Sequence, residues 1–471
     1  MTRLSAATAL PQGVSGPGFD RAALTPGILH LGLGAFHRAH QAVFTQAALD
    51  HRFGPWGIVA VNLRSAGPVR DLVAQDHLFS VVTRGADGDR AQVVGATVEA
   101  IAAAEQPGRV LDRLADPVIR IVTLTVTEKA YGLDPATGGL DTGHPAVAAD
   151  LADPTHPTGA VGFIVEGLAR RRAAGVAPFT VLSCDNLPAN GRVVARLVTQ
   201  MAARRDPALA DWIAAQVAFP SSMVDRIVPA ATDHTRARAA ALIGAEDVLA
   251  VETEPFLQWV IEDRFPTGRP DWDAVGAVMV ADVEPYEKMK LRLLNGTHTL
   301  IAHLGILHGL EHVRDVMARP DLAQAAQAHM AAAARTLDPV PGIDLDAYQD
   351  QLIARFANPA IAHRTIQIAM DSTQKLPQRI FAPAADALAA GDDGDAFARA
   401  TAAWIAALAL RGDADDPRRD ELMAAVRAMA PGDPSAPFMA LPGLVPPALA
   451  ENRDWRDRVN AALAAFKGDA A

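Results

Sequence analysis

A change of rhythm near residue 282 constrains this chain more than any other feature of its sequence. Before it, short apolar runs at residues 28–33, 58–63, 79–83, 119–126 and 179–183 read as buried strands, several of them separated by helix-like stretches. That alternation is the β-α-β order of a parallel sheet covered on both faces. Beyond residue 282 the strand signals stop, and Ala- and Leu-rich segments such as 322–335 and 396–410 carry helical periodicity. The expected fold class is therefore α/β over residues 1–282, followed by an all-α domain over residues 283–471. A chain of 471 residues exceeds one ordinary core, which agrees with two domains.

Composition and charge remove several classes of function. Half of the residues are hydrophobic and 21% are charged, the balance of a globular enzyme. A net charge of -11 argues against nucleic acid or an anionic membrane as the main partner, though not against a small anion held by a local cluster of Arg and Lys. The single cysteine, Cys184, excludes an internal disulfide and a Cys-rich zinc site. The N-terminus, MTRLSAATALPQG, lacks an apolar stretch long enough for a signal peptide, and no apolar run approaches the roughly 20 residues of a bilayer span, so the expected compartment is the cytoplasm.

Residues 27–38 read GILHLGLGAFHR: an apolar strand, then Gly32-x-Gly34, then a helix opening through Ala35 and Phe36. A glycine pair at such a junction lets the backbone approach a pyrophosphate, and the helix start supplies N–H donors. With the next strand about 25 residues on, this marks a Rossmann-type dinucleotide-binding domain, although the third glycine of the usual fingerprint is missing. That next strand ends Val61-Asn62-Leu63-Arg64, without the acidic residue that often holds the ribose. Asn62 offers the ribose a neutral bond, and Arg64 offers a surface for adenine or a partner for a 2′-phosphate, so the choice between NAD and NADP stays open. Thr127 and Glu128 follow another strand, at the carboxyl edge where ligands sit, and are candidates for the nicotinamide pocket.

The second domain opens with EPYEKMKLRLLNGTHTLIAHLG at residues 284–305. Glu284-Pro285 is a helix start, Gly305 a stop, and a helix is expected between them despite the hairpin-like Asn295-Gly296. Tyr286-x3-Lys290 mimics the Tyr/Lys pair of short-chain dehydrogenases, but lies about 250 residues beyond the glycine turn, too far for that compact fold. On a helix, Lys290, His298 and Asn295 project at roughly 0°, 80° and 140°, on one side of the cylinder. They offer one ligand a proton donor, an imidazole and an amide. Hydride delivered to a ketone makes an alkoxide, which needs an acid and amide donors. In the reverse direction a neutral amine must take the proton, a state that burial favours.

Lys290-x4-Asn295-x2-His298 resembles the signature of the polyol-specific long-chain dehydrogenases, the family of mannitol dehydrogenase and fructuronate reductase. So do GLGAFHRAHQAVF at 32–44, TVTEKAYG at 125–132, SCDNLPANG at 183–191, FPSSMVDRIVP at 219–229 and EPFLQWVIED at 254–263. The resemblance spans nearly the whole chain. It implies metal-free hydride transfer between NAD(P)H and a ketose carbonyl, with NAD expected and NADP left open. It makes Lys290 the general acid and base, Asn186 and Asn295 the asparagines that hold the oxyanion, and His298 a substrate-binding residue. Glu128 matches a glutamate near the lysine, and Asp225 an acidic residue near the substrate.

Residues 363–379, HRTIQIAMDSTQKLPQR, are more similar to the fructuronate reductases, because mannitol dehydrogenases usually place an arginine where Gln367 stands. Arg364, Gln367, Asp371 and Lys375 form one polar stripe if a helix persists to Pro377. A uronate carries a carboxylate that a neutral polyol lacks, and Arg364, Lys375 and Arg379 are the expected basic partners. The expected substrate is thus a sugar acid of the D-fructuronate and D-mannonate type. A neutral ketose or polyol, as in a mannitol 2-dehydrogenase, is the alternative. A zinc dehydrogenase is disfavoured: the nearest pairs, His37 with His40 and His298 with His303, lack ligand spacing. A non-catalytic dinucleotide sensor needs no acid or oxyanion donors.

Overall fold

The computed structural model describes residues 1–134 and 137–468. The chain divides into two compact units, Met1–Glu284 and Pro285–Ala471.

Among the described residues the first unit contains eleven strands: β1 Pro26–Leu31, β2 Gly57–Asn62, β3 Phe79–Gly85, β4 Gly88–Val94, β5 Thr97–Ala102, β6 Ile121–Leu124, β7 Thr180–Ser183, β8 Ser222–Asp225, β9 Val251–Thr253, β10 Gln258–Glu262 and β11 Val278–Val280. Five of them form a sheet in the order β5-β2-β1-β6-β7, parallel throughout. Alternate residues feed two cores. Leu29, Leu31, Val122 and Leu124 pack with Val110, Leu114, Phe163 and Leu197 from helices Pro107–Ala115, Ala160–Ala174 and Asn190–Arg205. Ile28, Ile58, Ala60 and Ile121 pack with Phe44, Leu49, Trp259 and Trp272 on the opposite face. Burial on both faces explains why these strands read as continuous apolar runs.

Buried Arg171 clamps one edge. Its guanidinium donates to the carbonyls of Leu114, Asp116, Ile119 and Ala177, joining helix Ala160–Ala174 to the approach to β6. The run at residues 79–83 is a strand, but not one of the parallel five. It lies in a separate sheet with β4 antiparallel and β9 parallel, because β3 continues directly into a hairpin rather than a crossover helix. A third sheet sets β10 between β8 and β11.

The second unit is helical among the described residues, apart from one isolated bridge between His312 and Arg364. Helices Asp395–Arg411, Arg453–Gly468 and Pro320–Ala334 are the longest of its described elements, and Trp404 is fully buried against Phe381 and Phe438. No helix among the described residues is long and apolar enough to cross a membrane.

Candidate functional site

In the first unit the sheet order reverses at β1. The next strand, β2, lies on one side of it and β6 on the other, so the carboxyl ends of β1 and β6 flank the crevice where such sheets bind ligands. Gly32 leaves β1 at φ +110, and a Cβ there would fall 2.1 Å from the Thr125 carbonyl oxygen, which no other residue tolerates. The turn is braced by its neighbours. Thr125 Oγ1 donates to the Gly32 carbonyl at 2.9 Å, and the Thr125 N–H donates to Leu31 at 2.9 Å. His30 Nε2 sits 2.8 Å from the same Gly32 carbonyl, while His30 Nδ1 is 2.8 Å from Thr123 Oγ1. A carbonyl only accepts, so Nε2 carries the hydrogen, and the neutral ring fits a pKa pushed down to about 3 by burial. Gly34 then precedes the short helix Ala35–Ala39, which begins at Ala35 and presents Phe36 in its first turn.

The remaining cofactor candidates lie at neighbouring strand ends. Asn62 closes β2, but its amide donates to the carbonyl and hydroxyl of Ser65 and so shapes the turn. Arg64 is exposed. Thr127, after β6, holds a positive φ of 73, and exposed Glu128 opens the short turn Glu128–Tyr131. That strained loop is secured by Asp185, a residue sequence reasoning missed. Its carboxylate accepts from the N–H groups of Val126 and Thr127 and from the Tyr131 hydroxyl at 2.6 Å. Burial pushes the Asp185 carboxyl above its ordinary value against the pull of these donors. The adjacent Asn186 is exposed in the loop after β7, and Asp225 is buried at the end of β8.

In the second unit, residues 284–307 are one continuous helical path, as expected, with a departure in the middle. Asp282 caps it by accepting from the Glu284 N–H at 3.0 Å. The α-helix Glu284–Met289 passes into a π-helix over Lys290–Gly296, then into the α-helix Thr297–Leu307. The 100° projection therefore does not apply between Lys290 and Asn295, since i→i+5 bonding widens each turn. Gly305 is not the stop. It lies inside the helix where a Cβ would meet Thr365 Cγ2 at 2.5 Å, so its lack of a side chain serves packing. Tyr286 donates to the Pro341 carbonyl at 2.6 Å, which removes it as a partner in catalysis.

Lys290, Asn295 and His298 are all buried, at 7%, 7% and 6% exposure. Asn295 Nδ2 is buried without a hydrogen-bond partner, and its carbonyl accepts from Thr299 Oγ1 at 2.8 Å. The His298 ring packs on Phe356 at 4.6 Å and meets His363 edge-on at 5.0 Å. Burial, then the neighbouring His363, Arg355 and Arg379, hold its imidazole well below 6.5 and therefore neutral. Arg355, Phe356 and His363 were not singled out beforehand; their spacing from His298 along the chain carries no periodic signal.

The polar stripe expected over residues 364–375 does not form. The helix breaks between Thr365–Ile368 and Ser372–Leu376, with Asp371 at a positive φ of 53, so the four side chains share no face. Arg364 pairs with Glu311 at 3.2 Å in an exposed bridge. Lys375 donates to the carbonyls of Ile368 and Met370 left open by that break. Arg379, in a second π-helix Pro377–Phe381, points Nη1 toward Thr299 Oγ1 at 3.4 Å and acts on the His298 ring, while Lys375 acts on His363. Among the described residues no group of three or more His, Cys, Asp or Glu is arranged to hold a metal ion. His37, for one, stacks on His30 at 3.5 Å.

Comparison with known proteins bears on both units. Residues 26–274 match the model of the mannitol dehydrogenase Rossmann domain and residues 282–430 that of the mannitol dehydrogenase C-terminal domain. The chain is 48% identical over 379 residues to the uncharacterized oxidoreductase YeiQ of Escherichia coli K12, covering 80% of this chain and 78% of that one. It is 46% identical over 398 residues to the D-mannonate oxidoreductase of the same organism, covering 83% and 82%. A solved mannitol 2-dehydrogenase of Pseudomonas fluorescens, in ternary complex with NAD and D-mannitol, superposes with a TM-score of 0.88 at 35% identity, covering 100% of this chain and 98% of that one.

Proposed function

The chain belongs to the mannitol dehydrogenase family, and on that premise we propose that it is an NAD-dependent oxidoreductase acting on a sugar acid, in the manner of D-fructuronate to D-mannonate, with Lys290 as acid and base. The observation that carries the reading is the buried trio on one helical path. Asn295 holds a buried amide donor without an acceptor, on the same helical path as the buried Lys290 and a neutral imidazole. An unpaired buried donor costs about 1–3 kcal/mol, which a substrate oxygen placed there would offset.

The residues of the glycine turn fit a dinucleotide. Around Gly34 the nearest atom to a notional Cβ is 3.9 Å away, an open cradle where backbone can approach a pyrophosphate. Gly32, Gly34, Ala35 and Phe36 would hold that end of NAD, with Asn62, Arg64, Thr127 and Glu128 at the adjoining strand ends. When bound, NAD supplies or accepts the hydride. Lys290 then gives a proton to the alkoxide oxygen, or as the amine removes one from the alcohol. The family resemblance assigns Asn295 and Asn186 to that oxygen while it bears charge, and His298 and Asp225 to the substrate.

Arg379 reaches Thr299 and acts on the His298 ring, so the substrate's carboxylate is assigned to it; Arg364 and Lys375 are diverted to Glu311 and to main-chain carbonyls. That same diversion favours the second reading, a neutral ketose or polyol. The test is NADH and NADPH oxidation by the purified protein with D-fructuronate, D-tagaturonate and D-fructose side by side. Turnover with a uronate, and a raised KM for it in Arg379→Met, support the sugar-acid reading. Turnover with fructose alone replaces it with the polyol reading.

A further inference from the structure

Among the described residues of the second unit there are two π-helices, Lys290–Gly296 and Pro377–Phe381, and they lie against each other. π-helices are rare and gather at functional sites. Here each carries residues assigned above to the substrate: Lys290 and Asn295 on one, Arg379 on the other. Two separate contacts join them. The first is main chain: a Cβ on Gly296 would lie 2.8 Å from the Arg379 carbonyl oxygen and 3.1 Å from His329 Cε1. Glycine inside a helix costs about 1 kcal/mol relative to alanine, and this close approach is what the chain gains for it. The second is side chain: Arg379 Nη1 reaches Thr299 Oγ1 at 3.4 Å, and Thr299 Oγ1 donates to the Asn295 carbonyl at 2.8 Å. Behind the contact, Thr297 Oγ1 and His329 Nδ1 are 3.0 Å apart, and His329 is fully buried against Phe397.

We infer that Gly296 and Thr299 are positioning residues, which lock the two π-helices in one register and so fix the placement of Asn295 relative to Arg379. Neither needs to touch the substrate. Gly296 sets the distance between the two backbones, and the Thr299 hydroxyl ties the Arg379 guanidinium to the carbonyl of Asn295. The inference rests on the functional reading only for the roles given to Asn295 and Arg379. The register itself is open to a measurement that needs no substrate.

Gly296→Ala forces backbone against backbone, so amide hydrogen exchange should quicken in both 290–299 and 377–381, although only one segment is altered. Faster exchange confined to 290–299, or unchanged in both, overturns the lock. With whichever of D-fructuronate, D-tagaturonate or D-fructose the wild type turns over, Gly296→Ala should lose ~100-fold in kcat, the scale of an ångström-sized misplacement. Thr299→Val should lose about tenfold and Thr299→Ser should restore it, while NADH affinity, read by fluorescence titration, stays at the wild-type value. If Thr299→Val matches Thr299→Ser in kcat, the hydroxyl link is wrong even where Gly296→Ala fails to fold. A wild type inactive on D-fructuronate, D-tagaturonate and D-fructose alike refutes the functional reading and leaves the exchange result to decide the register.

Discussion

Replacing His329 with glutamine should flatten the acid side of the stability curve. The ring is fully buried, with Nδ1 3.0 Å from the Thr297 hydroxyl and Phe397 edge-on at 5.3 Å. Burial pushes its pKa down from 6.5 to about 4. An unfolded chain takes up this proton near pH 6.5, whereas the native ring refuses it until about pH 4. The stability is therefore fully present above pH 6.5 and drains away as pH falls through that window, at about 1.4 kcal/mol per pH unit. Across the whole window the loss approaches about 3 kcal/mol, a large part of a domain's margin. Glutamine keeps a polar atom near Thr297 but does not titrate. In urea titrations between pH 4.5 and 7.5, the stability lead of the wild type over His329→Gln should shrink steadily below pH 6.5. A lead that stays constant with pH would show that the His329 proton is not excluded by burial, and the reasoning would fall.

Lys290→Ala should cut turnover by ~10²–10⁴-fold, the usual share of a general acid and base, and leave NADH binding by titration nearly unchanged; near wild-type turnover removes Lys290 from the mechanism. Gly32→Ala should abolish NADH binding and lower Tm, because its Cβ would press on the Thr125 carbonyl at 2.1 Å in a backbone of φ +110; a variant with normal affinity contradicts a nucleotide at this turn. Arg171→Met should cost roughly 3–5 kcal/mol in chemical denaturation by stripping four carbonyls of their donor. A loss under about 1 kcal/mol would mean those carbonyls find other partners.

Much of the architecture is legible before any coordinates, for reasons visible in particular residues. Strands buried on both faces write themselves as unbroken apolar runs, and Gly32 betrays a backbone angle that a side chain forbids. The helical continuity of residues 284–305 is also readable, since Glu284, Pro285 and the helix formers after them agree. What escapes reading is hydrogen-bond register. A π-helix uses the same residue types as an α-helix, so nothing between Lys290 and Gly296 announces the shift to i→i+5. The break at Asp371 escapes for a related reason: an aspartate at positive φ has no fixed neighbour pattern, and it diverts Lys375 onto carbonyls that an intact helix would have satisfied. Arg355, Phe356 and His363 surround His298 through tertiary packing alone, and Asp185 gains its importance from a loop strained at Thr127.

The bracing of the Gly32 turn bears on how a nucleotide arrives. Thr125, His30 and the ends of β1 and β6 hold this loop through bonds made within the protein itself. Its conformational entropy is surrendered during folding rather than at the moment of capture. On the proposed function, the Gly32 turn needs no reordering to receive a pyrophosphate, so the association rate should follow encounter and orientation, with affinity tuned by departure.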